Sequence, residues 1–208
     1  MEAEAKQIYD FMGVVERLAL VPRDLVRGDG RNDSDTDHIT KLCFLLMMIL
    51  PYIKQPVDAG RVLEMALAHD LVEAEVGDTP RLQSENQAEV KARKKELELS
   101  AIEKYRDMLP RPIGKKIYDL FMEYEARETL EAKLVKAMDR FEGDMQALKE
   151  NKGLRFYQNG RHEFILNYLR EDLAKAEAAG EPMLAALQRV QLELAEKNIG
   201  GFKDQGLI

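Results

Sequence analysis

The sequence contains no tryptophan, a single cysteine and only three histidines, and aromatic residues make up 7% of it. The lone Cys43 excludes an internal disulfide, and inside an apolar run it reads as a small buried core residue. No apolar run is long enough to cross a membrane. The longest, LCFLLMMIL from Leu42 to Leu50, is half of the ~18 residues required and reads as a core helix. Acidic residues outnumber basic ones, 38 to 31. A net charge of −7 and a pI near 5.2 argue against a broad nucleic-acid surface and leave small ligands open. The one basic run, KARKK from Lys91 to Lys95, is interspersed with glutamates and reads as the solvated face of a helix. The amino terminus, MEAEAKQIYD, lacks the basic and then apolar order of a signal peptide, so a cytoplasmic location is expected.

Alternating apolar and polar strand patterns, internal repeats and low-complexity tracts are absent as well. What remains is rich in Ala, Leu, Glu, Lys and Met, with 45% hydrophobic and 33% charged residues over 208 positions, the composition of an all-α protein. A single domain over 1–208 is expected, with its core at about 4–150 and C-terminal helices at about 161–199. The first helix, Glu4 to Leu20, carries a stripe of Ile8, Phe11, Met12, Val15, Leu18 and Ala19. Arg23 to Asp35 is polar and Gly-rich, a loop. Asp35 or Thr36 caps the helix that carries His38 and stops at Pro51. Asp58 caps a helix from Ala59 to Val76, with Gly77 as its left-handed terminator. Ser84 and Gln87 have capping-box spacing before a helix to Met108, which Pro110 and Pro112 break. Helices follow at Ile113–Ala126, Leu130–Glu150, Arg161–Ala179 and Met183–Asn198, before a loose tail, IGGFKDQGLI.

Against this background LAHDLVEAEVGD, Leu67 to Asp78, carries an unusual amount of charge for a core segment. On a helix His69 and Glu73 are four residues apart and Asp70 and Glu73 three, so one edge presents an imidazole and two carboxylates. His38 can approach His69 if its helix packs against this one. The best further ligand is Asp139, at the border of the stripe Leu134, Val135, Met138 and Phe141. Mixed His and Asp donors suit a divalent ion that keeps bound water. Each residue has a plainer reading. His38 alone would be a core or capping residue, Glu73 and Glu75 a solvated helix edge, and Asp78 a turn residue after Gly77. Arg23 could pair with neighbouring acids, and Arg27 and Arg31 are rival anion binders. His162 reads as structural or surface, Glu142 and Asp144 as helix-surface charges, and Glu75 as solvated.

Thr36-Asp37-His38 before an apolar helix, AHDLVEAEVGD, and KLVKAMDRFE occur in the order that resembles the HD-domain metal-dependent phosphohydrolases, and in their 5′-deoxynucleotidase branch in particular. The resemblance covers roughly residues 4 to 150. It implies a helical HD bundle with His38, His69, Asp70 and Asp139 holding one divalent ion per chain, drawn from Mn²⁺, Co²⁺, Fe²⁺, Ni²⁺ and Zn²⁺ with Mg²⁺ admissible. Glu73 matches the carboxylate that acts on the attacking water, Asp78 the one that holds the sugar 3′-hydroxyl, and Arg23 the arginine that binds phosphate. Members selective for deoxyribose follow that arginine with a bulky aromatic. Asp24 stands there instead, implying weaker rejection of ribonucleotides. The resemblance also implies a nucleotide substrate, no nucleic-acid or membrane partner, and a homodimer. In the last helix the stripe Met183, Leu184, Leu187, Val190 and Leu194 either covers the core or makes that contact. Two alternatives stay open. One is an HD-type deoxynucleoside triphosphate hydrolase, for which Arg23, Arg27 and Arg31 would hold a longer phosphate tail. The other is a non-catalytic nucleotide-binding or regulatory protein, against which Glu73 speaks, since a sensor needs no base.

Overall fold

A computed structural model describes residues 1–78, 88–158 and 161–208. The described elements are helices α1 (Glu2–Leu18), α2 (Asp35–Ile49), α3 (Ala59–Ala68), α4 (Glu73–Val76), α5 (Ala88–Met108), α6 (Arg111–Ala126), α7 (Leu130–Lys149), α8 (Leu154–Tyr157), α9 (His162–Ala178) and α10 (Pro182–Asp204), with strands β1 (Pro22–Val26) and β2 (Asn32–Ser34). The all-α expectation holds apart from that antiparallel strand pair, in which Pro22 faces Ser34 and Val26 faces Asn32. The pair corrects the reading of Arg23 to Asp35 as loop. Its strands are too short and polar to show period-two patterning, and its Val26 N–H is fastened to the Glu150 carboxylate at 2.9 Å.

The main core lies where α2, α3, α6 and α7 meet, around Leu42, Leu46, Val62, Met65, Val135 and Met138. In α2 only one face can turn inward, so its apolar run divides. Leu42, Leu45, Leu46 and Ile49 are buried, whereas Phe44, Met47 and Met48 are more than half exposed. Cys43 is only partly buried, between two core clusters. Ser34, not Asp35 or Thr36, is the N-cap of α2: its hydroxyl accepts from the Asp37 N–H while the Asp37 carboxylate accepts from the Ser34 N–H. That frees Asp35 to turn inward. In α1 the buried face is Phe11, Val14 and Leu18, and Ile8, Met12 and Val15 are exposed, a rotation of the expected stripe set by the edge-on contact of Phe11 with Tyr105. The Ser84–Gln87 capping box lies outside the described residues.

Helix α5 stops at Met108, as expected, and Pro110 precedes α6 while Pro112 sits in its first turn, where a missing N–H costs nothing, so α6 begins at Arg111 and not at Ile113. Here α5 and α6 come close enough that a Cβ on Gly114 would lie 2.1 Å from the Arg106 carbonyl oxygen. Backbone cannot yield as a flexible side chain does. Gly114→Ala is therefore expected to destabilise the fold by ~1–3 kcal/mol, read as a lower thermal midpoint. An unchanged midpoint would show that the two helices part freely.

The tail is not loose. Helix α10 continues through Gly200 and Gly201 to Asp204, and Ile199 and Phe202 are buried beside Tyr157, Leu166 and Leu169. Two helical glycines cost ~1 kcal/mol each, less than the ~1.5–3 kcal/mol that burying each of Ile199 and Phe202 contributes. The expected stripe of α10 divides: Leu184 and Leu187 cover the main core, and Val190 and Leu194 are exposed. Among the described residues no helix is long and apolar enough to cross a membrane.

Candidate metal centre

The centre is built where α2, the end of α3 and α7 converge. Asp58 caps α3 as expected, accepting from the Arg61 N–H at 3.0 Å, but the helix does not run on to Val76. It ends at Ala68. Bonds from Leu71 N–H to Ala68 carbonyl and from Glu73 N–H to Asp70 carbonyl tighten His69–Val72 into a turn before the short α4. Gly77 ends α4 with φ 75° and ψ 158°, positive but not the left-handed helical conformation expected. The turn still delivers His69, Asp70 and Glu73 to one place.

Both imidazoles are held through Nδ1 and turn Nε2 toward the carboxylates, that of His38 bonding to Asp139. The Nδ1–H of fully buried His38 donates to Glu142 Oε2 at 2.5 Å, and the Nδ1–H of His69 donates to the Ala66 carbonyl at 2.8 Å. His69 Nε2 is buried and without a hydrogen-bond partner among the described residues. The ring centroids lie 5.6 Å apart. Asp139 Oδ1 is 3.1 Å from His38 Nε2 and 3.9 Å from His69 Nε2. Its Oδ2 accepts from Tyr124 Oη–H at 2.7 Å and from Lys136 Nζ at 2.8 Å. One donor atom each from His38, His69 and Asp139 lies within 4.8 Å of the others, a set that could hold a metal ion. Asp70 Oδ2 approaches the same point, 3.1 Å from His69 Nε2 and 3.7 Å from His38 Nε2. An orphaned buried nitrogen facing two carboxylates fits a divalent cation.

Glu73, 7% exposed, lies beside this set with Asp70 and fully buried Asp35. Burial, with Asp70, Asp35 and Asp78 nearby, pushes the Glu73 carboxyl up to about 11, and burial with Asp70 raises Asp35 to about 6. These acids resist joint ionisation without added positive charge. Part of that charge comes from Arg23 on β1, whose Nη1 is 3.4 Å from Asp35 and 3.5 Å from Asp70. Burial works against the Arg23 charge, but Asp70, Asp78, Asp35 and Glu73 outweigh it and hold its pKa above the usual value. Asp78 is half-buried, its carboxyl raised by burial against the pull of Arg23. A cavity of about 590 Å³ opens over the centre, lined among others by Arg23, Glu73, Asp78, Lys94 and Tyr124. Exposed Asp24 is at its edge.

Several residues differ from their sequence reading. Glu142 is no surface charge: it is 1% exposed, holds His38, and is itself held by Lys41 at 3.1 Å, which also reaches Asp33 at 2.6 Å. Its position three residues after Asp139, like that of Asp35 three before His38, puts it on the helix face that meets the centre. Asp144 is half-buried and lines the cavity. Lys94 of the KARKK run also departs from a purely solvated face, with Nζ 3.6 Å from Glu73 and 3.4 Å from Glu98. Arg27 pairs with Asp37 and Arg31 with Asp29, both at 2.8 Å, so Arg23 is the member of that trio that reaches the centre. Glu75 is exposed and pairs with Lys104, and His162 opens α9 facing Glu163.

The Glu142–His38 contact carries a direct expectation, because a carboxylate on the far imidazole nitrogen fixes tautomer and ring orientation. Glu142→Gln should lower metal affinity by ~10–100-fold with the circular-dichroism spectrum unchanged. Unaltered affinity would reduce Glu142 to a packing residue.

A helical bundle that brings two histidines and an aspartate from separate segments to one buried point has the architecture of the HD domain. The HD-domain family profile matches residues 15–178, and the chain belongs to that family. Among curated relatives, 5′-deoxynucleotidase HDDC2 of Xenopus laevis is 32% identical over 146 residues, 69% of each chain. The Homo sapiens protein of the same name is 30% identical over 145 residues, 69% of this chain and 68% of that one. Among solved structures, one described as a "predicted metal-dependent phosphohydrolase" from Magnetospirillum magnetotacticum MS-1 shares the fold, with a TM-score of 0.76 at 24% identity over 94% of this chain and 97% of that one. A conserved hypothetical protein from Pyrococcus furiosus superposes with a TM-score of 0.64 at 26% identity over 87% of this chain and 99% of that one.

Proposed function

We propose that this protein is a metal-dependent 5′-deoxynucleotidase, hydrolysing the 5′-phosphate of deoxynucleoside monophosphates. The observation that carries the reading is the convergence of His38 Nε2, His69 Nε2 and Asp139 Oδ1 beside Glu73, under a cavity that Arg23 also lines. His38, His69, Asp70 and Asp139 hold one divalent ion, and their mixed nitrogen and oxygen donors favour Mn²⁺, Co²⁺, Fe²⁺, Ni²⁺ or Zn²⁺, with Mg²⁺ admitted, over Ca²⁺. When bound, such an ion polarises a phosphoryl oxygen and acidifies water. Glu73 takes the proton of the attacking water, and Lys94, 3.6 Å from it, offsets the charge of its ionised form. The Arg23 guanidinium presents paired donors to the phosphate oxygens. Asp78 accepts from the sugar 3′-hydroxyl, and exposed Asp24 leaves the 2′ side uncrowded. Relatives named 5′-deoxynucleotidase support the substrate class. The same reading takes the protein to be cytoplasmic and homodimeric, with the exposed Phe44, Met47 and Met48 of α2 available to a second copy.

A phosphate-release screen of purified protein against ribo- and deoxynucleoside mono- and triphosphates, with each metal added in turn, tests this. Monophosphates should be hydrolysed, with ribonucleotides disfavoured by no more than ~10-fold, since Asp24 stands where a bulky aromatic would crowd the 2′-hydroxyl. Release from triphosphates alone, or activity that survives exhaustive chelation, would overturn the assignment.

A further inference from the structure

A second cavity, of about 470 Å³, lies on another side of α7, between that helix, α9, α10 and the segment 53–57. Its floor is apolar, with Val57, Leu134, Met138 and Leu184 among its residues, and its cations are Arg127, Lys133, Lys136, Arg140 and Lys175. Against these five stand two carboxylates, Asp172 and Glu181. Both are already engaged. Glu181 accepts the backbone N–H groups of Lys54 and Gln55 at 2.9 Å each, and Asp172 is shared by Arg140 and Lys175 at 3.1 Å each. Three of the five cations are paired in turn, Arg140 and Lys175 with Asp172 and Lys136 with Asp139, which leaves Arg127 and Lys133 over the apolar floor. Among the described residues neither Arg127 nor Lys133 carries an ion pair. Arg127 occupies a left-handed position (φ 55°, ψ 32°) at the end of α6, where glycine is the usual residue.

The arrangement has dimensions as well as charge. Lys133, Lys136 and Arg140 are spaced three and four residues apart on one face of α7, a cationic row of ~10 Å at 1.5 Å per residue. That length suits a chain of phosphates better than a single carboxylate. Gln188 also lines the cavity. It is 5% exposed, and its Oε1 has no hydrogen-bond partner among the described residues, so the site holds a buried acceptor that an N–H of a ligand would satisfy. Phosphates, an apolar ring and ring-borne N–H groups together are the chemistry of a nucleoside triphosphate, and the volume falls within the ~300–1,000 Å³ of small-molecule sites.

Lys136 and Arg140 line both cavities, and Lys136 Nζ binds Asp139 Oδ2 at 2.8 Å and the Tyr124 hydroxyl at 2.9 Å. We propose that the second cavity binds a nucleoside triphosphate as a regulator, and that its phosphates draw Lys136 away from Asp139 and so lower turnover at the metal centre. The regulatory half rests on the reading of Asp139 as a metal ligand. The binding half does not.

The test uses the β,γ-imido analogue of dATP with full-length protein in two arms. In equilibrium dialysis, wild type should bind the analogue, and Lys133→Glu and Gln188→Leu should each weaken binding by ~10-fold or more, since each removes a contact made only in this cavity. This arm needs no turnover, so it stands or falls separately from the proposed hydrolysis. In the second arm the analogue should lower kcat for a deoxynucleoside monophosphate in wild type with KM unchanged, and both variants should keep wild-type basal turnover yet lose the response. Binding that is absent, or equal in wild type and both variants, overturns the site. An effect confined to KM places the analogue at the metal centre and overturns the regulatory role.

Discussion

His69→Ala is expected to lose the bound ion and hydrolysis together. Elemental analysis of wild type should find about one transition ion per chain, as a centre that presents its donors only in the folded state would hold, and the variant should hold essentially none. The physical reason is local. His69 is 2% exposed, its ring is fixed through Nδ1 to the Ala66 carbonyl, and its Nε2 makes no hydrogen bond among the described residues but faces Asp70 and Asp139. Truncation removes one donor and leaves Asp70 and Asp139 facing a cavity lined by acids. Activity should fall by at least ~10³-fold, since both the polarisation of phosphate and the acidification of water depend on the ion. Circular dichroism separates this from unfolding. A variant that retains stoichiometric metal would remove His69 from the ligand set.

The second large effect concerns Glu73, and its signature is different. Glu73→Gln keeps size and shape but cannot accept a proton, so metal content and substrate affinity should persist while turnover drops by ~10²-fold or more. The side chain lies under the cavity mouth with Oε2 unpartnered among the described residues, free to meet a ligand oxygen. Measuring metal, affinity and phosphate release in parallel for Glu73→Gln and His69→Ala distinguishes a base from a ligand. Near wild-type turnover in Glu73→Gln would remove Glu73 from the chemistry without touching the fold.

The residues that could be read ahead of the structure were those that break a pattern. Histidine and aspartate inside the apolar run before Gly77, and Asp139 at the edge of a stripe that ends in Phe141, contradict a simple core, and that contradiction is legible. Glu142 escaped because on a long charged helix a carboxylate at i+3 looks like every other solvated one. Only the packing of α2 against α7 turns it inward onto His38. Lys94 was hidden likewise among KARKK, although its side chain reaches Glu73. The strand pair carrying Arg23 left no trace, because its register is set by contacts with α2 and Glu150 and not by its own composition. Helix bounds inside strong stripes matched closely, as in α6 and α7. They failed where tertiary burial overrode propensity, at Gly200 and Gly201, and where hydrogen bonds cut α3 short before His69.

The places along the chain of the residues that converge on the proposed centre also say when it can exist. His38 and Asp139 are separated by 101 residues and His38 and Glu142 by 104, so the centre closes a long loop that local helix formation cannot anticipate. Early in folding the helices can form with their imidazoles and carboxylates still scattered, and an ion offered then finds no cage. Closing so long a loop costs entropy before its contacts reward it, and interactions absent from the transition state slow unfolding without accelerating folding. Metal should therefore act on this protein as a lock applied after assembly, lengthening the lifetime of the folded chain while leaving its rate of formation alone.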